Sequence, residues 1–202
     1  MKNIFLSIIM LVFFCSLAKS QFNTGSKMVG ASSSIDLGFS SEKDEGSADA
    51  TKYITIDVNP RAAYFVMNRL AVGGDLGYYL SRSKYDDSDP YTTNTFLIGP
   101  FVRYYYKSIA WVRPFGEFNI GGGTSATKYT VVGAETKIRH NIIYTGAGVG
   151  AAFFLAENFA LEGMLSYNFE HQKNKETDQS HNSHGIMLSF GFSFFFNSLL
   201  QE

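Results

Sequence analysis

Apolar residues recur at every second position along most of this chain, from Val29 to Phe196, and no stretch settles into the three-to-four spacing of a helix. The last segment is the clearest. Ile186, Leu188, Phe190, Phe192, Phe194 and Phe196 fall on one face, and Gly185, Met187, Ser189, Gly191 and Ser193 on the other. Period-two alternation marks a strand whose two sides meet different surroundings. The pattern predicts eight strands, near 26–38, 52–66, 69–83, 92–106, 111–126, 137–154, 159–172 and 183–196. The expected fold class is all-β, an eight-stranded antiparallel up-and-down β-barrel.

The connections carry a second pattern. Long polar segments at 40–50 (SSEKDEGSADA), 84–91 (KYDDSDPY), 127–135 and 173–182 (KNKETDQSHN) alternate with short ones at Met67–Asn68, 107–110 and 155–158. An up-and-down order then gathers every long connection at one end and every short turn at the other. An even strand count leaves both chain ends on the short-turn side. Short periplasmic turns opposite longer extracellular loops are the habit of transmembrane barrels.

Alternation alone does not say which face looks outward. In a soluble barrel the apolar face would fill the interior, and the eighth strand would bring four phenylalanines into a space that holds ordinary side-chain filling. The other face is no better suited to water. On the sixth strand it reads Gly146, Gly148, Gly150 and Ala152, small residues that suit a crowded interior. The third strand agrees, with Leu70, Val72, Leu76, Tyr78 and Leu80 set against Ala71, Gly73, Asp75, Gly77 and Ser81. The apolar face is therefore expected to meet lipid. Aromatics at the strand ends are expected to form two girdles: Tyr104, Tyr106, Phe153, Phe159, Phe194 and Phe196 at the short-turn end, and Phe39, Tyr53, Tyr85, Tyr91, Tyr129 and Phe169 at the other.

Residues 1–20 read as a secretory signal peptide: Lys2 is basic, Ile4–Leu17 is an apolar run, and Ala18 and Ser20 place small residues before a cut at Gln21. Cys15 does not make a lipoprotein signal, because Phe14 before it is too bulky. The barrel domain is then 21–202. Beyond the signal there is no cysteine, hence no disulfide and no thiolate chemistry. A net charge of −1 argues against a nucleic-acid partner, which needs a basic surface. No apolar run after the signal reaches the ~18 residues of a membrane helix, so a membrane crossing falls to strands.

The chain resembles the eight-stranded outer-membrane β-barrel proteins of Gram-negative bacteria, the OmpX/OmpA-barrel, porin-like group. The resemblance rests on Phe96–Tyr106 (FLIGPFVRYYY), Asn68–Gly77 (NRLAVGGDLG) and the last strand. In that strand Ser189, Gly191, Phe194 and Phe196 look like the signal such proteins present to the barrel-assembly machinery. The chain departs by continuing through Asn197–Glu202, where many relatives stop at the aromatic. The resemblance implies a cell outer membrane address, both termini periplasmic, a monomer, and contact with lipid and lipopolysaccharide.

Chemistry is sparse. Asp57, Arg61, Asp75, Arg103, Glu117 and Glu162 lie on the polar face. Counted from the short turns, Arg61, Asp75, Arg103, Glu117 and Glu162 share a height and are expected to pair as an interior charge layer, since a lone buried charge is costly. His171, His181 and His184 crowd the last long connection, the one spacing that suggests a metal. Rim histidines are more often plain polar residues, and neither a metal nor a cofactor is expected. His181 and Ser183 have the spacing of a barrel hydrolase, but no carboxylate follows before Glu202, so no catalytic residue is assigned. Acidic clusters in the first two long connections (Glu42, Asp44 and Glu45; Asp86, Asp87 and Asp89) read as solvated loops, with divalent-cation bridging to lipopolysaccharide phosphates the alternative, and the second lacks the D-x-D-x-D spacing of a calcium loop. The expected role is structural or surface-interacting, adhesion-like, with a closed lumen and any extracellular ligand engaged through the loops. A small-solute channel and an outer-membrane lipid-modifying enzyme are the two rivals.

Overall fold

A computed structural model of the protein describes residues 22–36, 52–84, 91–107, 111–131 and 134–196. The segment 1–20 read as a signal peptide, the acidic clusters and Asn197–Glu202 lie outside them. Eight strands form one closed antiparallel ring: β1 (Lys27–Asp36), β2 (Lys52–Met67), β3 (Leu70–Lys84), β4 (Tyr91–Tyr105), β5 (Val112–Val131), β6 (Ala134–Ala156), β7 (Phe159–Asn174) and β8 (Ser180–Phe196). The ring closes where β8 returns to β1, in register from Lys27↔Phe196 to Asp36↔Met187. The eight-stranded barrel expected from the alternation is the observed fold.

Parity assigns the faces as the sequence does. Val149 (66% exposed), Ile143 (61%) and Phe190 (52%) point outward with Ile98, Phe118, Leu165 and Tyr167, so the exterior is apolar around the barrel. Phe65, Phe101, Tyr105, Phe115 and Phe195 point inward and are buried. Glycines on the inner face make room for inward rings. A Cβ at Gly121 would come within 2.6 Å of the Tyr144 hydroxyl, and one at Gly99 within 2.7 Å, so the Tyr144 ring can lie against β4 and β5 only while both positions lack a side chain.

Three features differ from the sequence reading. First, 127–135 is not a loop: β5 and β6 stay paired to Val131↔Ala134, because Thr127, Tyr129, Thr130, Val131, Thr136 and Ile138 are strand formers. The last connection shrinks likewise to a turn over 175–179. There the Asn174 side-chain oxygen accepts from the N–H groups of Glu176 (2.7 Å) and Thr177 (3.2 Å), and Asp178 takes φ 58°. The β5–β6 hairpin, with strands of 20 and 23 residues, therefore runs on past β7, whose pairing with β6 ends at His140↔Asn174. Second, the β2–β3 turn is Asn68–Arg69, one residue later than expected. The register slips between Phe65 and Met67, and Arg69 takes the left-handed position (φ 69°) that glycine ordinarily fills. Third, Tyr91 and Tyr129 have inward parity and stack on one another at 6.3 Å instead of joining an outer girdle. Of that expected girdle, Phe169 is outward, and Tyr78 and Tyr167 are the outward tyrosines of that half. Phe39 and Tyr85 lie outside the described residues.

The short-turn end is sealed by a residue that belongs to no strand. Phe22 is 6% exposed and contacts Phe65, Tyr105, Phe154 and Phe195 at centroid distances of 5.5, 4.5, 5.8 and 5.3 Å. The Arg113 guanidinium lies 5.1 Å from its ring. Its carbonyl accepts from Arg69 N–H at 2.7 Å, and Gly25 N–H donates to the Phe65 carbonyl at 2.8 Å, which ties the segment to the β2 turn. Phe22→Ala is expected to cost about 3 kcal/mol, as for other buried aromatics, with Phe22→Leu recovering most of it. Denaturant midpoints of the folded protein check this, and unchanged midpoints would mean that the ring carries no packing energy.

Candidate functional site

Above the aromatic floor the lumen is crossed by charges. The backbone register prepares two neighbour pairs, Arg61↔Asp75 between β2 and β3 and Arg103↔Glu117 between β4 and β5. Their side chains then reach across. Glu117 sits at the centre: its Oε2 accepts from Arg103 Nε at 2.6 Å and from Arg61 Nη1 at 3.1 Å, and its Oε1 accepts from Arg61 Nη2 at 3.3 Å. Arg103 Nη1 donates to Glu162 Oε2 on β7 at 2.8 Å and to the Tyr105 hydroxyl at 3.0 Å. Asp75 is 3.7 Å from Arg61 and accepts from the Tyr144 hydroxyl at 3.1 Å. The structure thus gathers Arg61, Asp75, Arg103, Glu117 and Glu162 in one layer from β2 to β7. Asp57 is elsewhere, higher up, where its Oδ1 accepts from Asn59 at 2.7 Å.

Aromatic faces hold the guanidinium groups from below and beside. Arg103 lies 4.0 Å from the Phe115 ring, and Arg61 lies 4.9 Å from that of Phe101. A planar, weakly hydrated cation that both stacks and forks suits this site better than an ammonium would. Arg103 is 1% exposed, and a charge so buried persists because both its carboxylate partners are in place. The gap beside the layer, lined by Ser32, Arg61, Glu162 and Ser189, measures about 10 Å³, room for no more than one water. The arrangement holds itself together and offers no open coordination position or nucleophile.

The other singled-out residues fall in two places. Ser189 is inward, its hydroxyl donating to the Met164 carbonyl at 3.4 Å, and Phe194 and Phe196 are outward and exposed. Gly191 faces β1 so closely that a Cβ would meet the Ser32 Cβ at 2.9 Å, so this glycine has a packing reason at the seam as well. At the opposite end the three histidines do not converge. His171 is bound to Asn182 at 2.6 Å, His184 lies diagonally beside it on the outer face, and His181 pairs with Gln172 on the other face. Among the described residues no group of three or more such side chains is placed to hold a metal.

Pairing also sets Glu170 directly across from Ser183, a neighbour that a search for a carboxylate after Ser183 passes over. Its Oε1 accepts from Gln172 at 2.5 Å, and among the described residues no hydrogen bond links His181, Ser183 and Glu170. The chemistry of a triad is not assembled there. Sequence reasoning also missed Phe22, although an isolated aromatic in the polar segment before β1 was a visible signal.

No known family profile and no curated protein matches the chain. Solved structures similar to it include the N-terminal β-barrel domain of OprF from Pseudomonas aeruginosa (16% identity over 86% of this chain and 98% of that one, TM-score 0.48). Neisserial surface protein A is similar at 16% identity over 85% of this chain and 97% of that one, TM-score 0.49. So is Ail, the attachment invasion locus protein of Yersinia pestis, at 16% identity over 86% and 99%, TM-score 0.44. Identities this low leave function open, and the barrel architecture rests on the strand pairings themselves.

Arg103→Ala is expected to destabilise by about 3–5 kcal/mol, since it strands two buried carboxylates, whereas Lys175→Ala on the exposed last turn should change stability by less than about 0.5 kcal/mol. Denaturant titrations of the two variants measure the contrast. Equal effects would mean that the layer contributes nothing to folding.

Proposed function

We propose that the protein is a monomeric, integral barrel of the cell outer membrane with a closed lumen. Both termini lie on the periplasmic side, and the role is structural or surface-interacting. The observation that carries this reading is the exterior: outward positions on every strand pair are apolar and exposed, from Val29 on β1 through Ile98, Phe118 and Val149 to Phe190 on β8. A surface of that extent stays dispersed only when lipid covers it. Strands that satisfy their backbone groups within a closed ring are the one β-structure that lipid accepts.

Closure of the lumen follows from two barriers in series, the Phe22 floor and the ionic layer. A conducting path would have to part Arg103 from Glu117 and Glu162, and eight strands enclose little more than their own side chains. Function is therefore referred to the long-connection end, where the β5–β6 hairpin runs on past its neighbour β7 and any extracellular ligand would bind. Ser189, Gly191, Phe194 and Phe196 serve, on this reading, as the signal to the barrel-assembly machinery. No catalytic role is assigned, because the His181–Ser183 pair lacks a bonded acid.

The protein is expected to fold only in amphiphile and to show a gel shift that boiling abolishes. Leu188→Arg, near the middle of the outward face of β8, should cost about 2–4 kcal/mol. A soluble, folded monomer without detergent would refute the membrane reading. Planar bilayers containing purified protein should stay electrically silent. Reproducible single-channel steps that grow in Arg103→Ala would put the small-solute channel first.

A further inference from the structure

The ionic layer leaves two of its own polar atoms unused. Arg61 donates to Glu117 from Nη1 and Nη2, and its Nε is buried without a partner among the described residues. Glu162 gives Oε2 to Arg103, and its Oε1 is likewise buried without a partner among the described residues. The two side chains are only 7% and 8% exposed. A charged donor and a charged acceptor enclosed in this way have each given up hydration, and each calls for a replacement partner.

Both atoms face the same place. Arg61 stands on β2 and Glu162 on β7, with β1 and β8 between them, so the pair straddles the seam on which the ring closes. The register sets Asn59, Ser32, Gly191 and Glu162 along one row across those four strands. Gly191 brings no side chain to that row, and the gap of about 10 Å³ beside it is lined by Arg61, Glu162, Ser32 and Ser189. That is room for one group the size of a water molecule. The chemistry of the lining decides which. The layer has three carboxylates, Asp75, Glu117 and Glu162, against two guanidinium groups, so a small cation is the natural rival. Arg103 and Arg61 both border the gap, however, and would repel it, and a cation would leave Arg61 Nε, which can only donate, still unpaired. An anion would meet Glu162 instead. The occupant must accept from one side and donate to the other.

We propose that the gap under the seam is a binding site for a single ordered water, which accepts from Arg61 Nε and donates to Glu162 Oε1 and to the Ser189 hydroxyl oxygen. The Ser189 oxygen is free to accept, because its own proton is directed to the Met164 carbonyl. Three hydrogen bonds are the usual complement of a buried water. The water turns an open chain of charges into a circuit: Arg61 to Glu117, Glu117 to Arg103, Arg103 to Glu162, and Glu162 through the water back to Arg61. Hydrogen bonds joined in this way polarise and strengthen one another. The site is assembled from β1, β2, β7 and β8, so it exists only in the closed ring. It also gives Ser189 and Gly191 a task in the finished barrel, apart from any part in assembly.

Two measurements test this. Crystals of the unaltered protein, grown with thallium(I) in place of sodium, should show a density peak within hydrogen-bond distance of both Arg61 Nε and Glu162 Oε1, without an anomalous signal. A thallium signal in the gap would make it a cation site and overturn the proposal. So would an empty gap, or Arg61 Nε and Glu162 Oε1 bonded to protein atoms. In neutral maltoside micelles, oxygen-17 relaxation dispersion counts the internal waters that exchange slowly. Ser189→Val fills the gap with methyl groups and removes an acceptor, and it should lose one such water relative to the unaltered protein. The boiling-sensitive gel shift reports whether the variant has folded, and an unchanged count in the folded variant would overturn the proposal. The crystals decide the matter without any variant, and none of these outcomes bears on the membrane reading.

Discussion

Every backbone N–H and C=O of these strands must find a partner within the sheet, and the seam between β1 and β8 is where that requirement is met last. An open edge would present a row of unpaired polar groups beside an apolar exterior, which neither water nor lipid tolerates. The ten-residue register from Lys27↔Phe196 to Asp36↔Met187 removes that edge. The rest of the molecule follows from it. Closure fixes which face looks outward on all eight strands at once, hence the apolar exterior, the small residues within, and the meeting of charges from β2, β3, β4, β5 and β7 at one level.

The interior is graded along its axis. The floor is aromatic, with Phe22 enclosed by Phe65, Tyr105, Phe154 and Phe195. The next level is ionic, and the layer and the floor are not independent, because Tyr105 belongs to both: its ring packs on Phe22 while its hydroxyl accepts from Arg103 and donates to the Met28 sulfur at 3.3 Å. Above them hydroxyl pairs line much of the inner face, as in the Thr95–Ser125 contact at 2.9 Å and the Thr93–Thr127 contact at 3.0 Å, beside Asp57 and its Asn59 partner. Cost of burial explains the order. Opposite charges survive deep inside where both partners are fixed by register, and nearer the open end amide and hydroxyl partners suffice.

Much of this was legible in the chain itself, for a physical reason. Strand parity is a local property with a period of two, so one apolar run such as Ile186–Phe196 orients a whole strand, and two in-register charges such as Arg103 and Glu117 follow by counting from a short turn. What escaped was set by partners distant in sequence. The β5 and β6 strands run on to Val131 and Ala134 because each finds the other, although 127–135 by itself reads as a loop. Tyr129 is expected at the lipid face, and its inward parity becomes visible only once β5 runs past it, whereas Tyr91 shares the inward parity of Phe101 and Tyr105 on β4 and is set outward by its place at a strand end alone. Glu170 meets Ser183 across a hairpin, a neighbour that no search in one chain direction finds. Gly191 could be read as part of an assembly signal, while its close approach to Ser32 belongs to the finished seam.

Phe22 has a further consequence. Its four ring neighbours come one each from β2, β4, β6 and β8, the second strand of every hairpin. A ring of six strands would lack one of those walls, and a ring of ten would stand too wide for a single phenyl to touch them all. One side chain outside the sheet therefore counts the hairpins. Its packing is complete only when all four are in place, so the contacts of Phe22 and the closure of the circle stand or fall together.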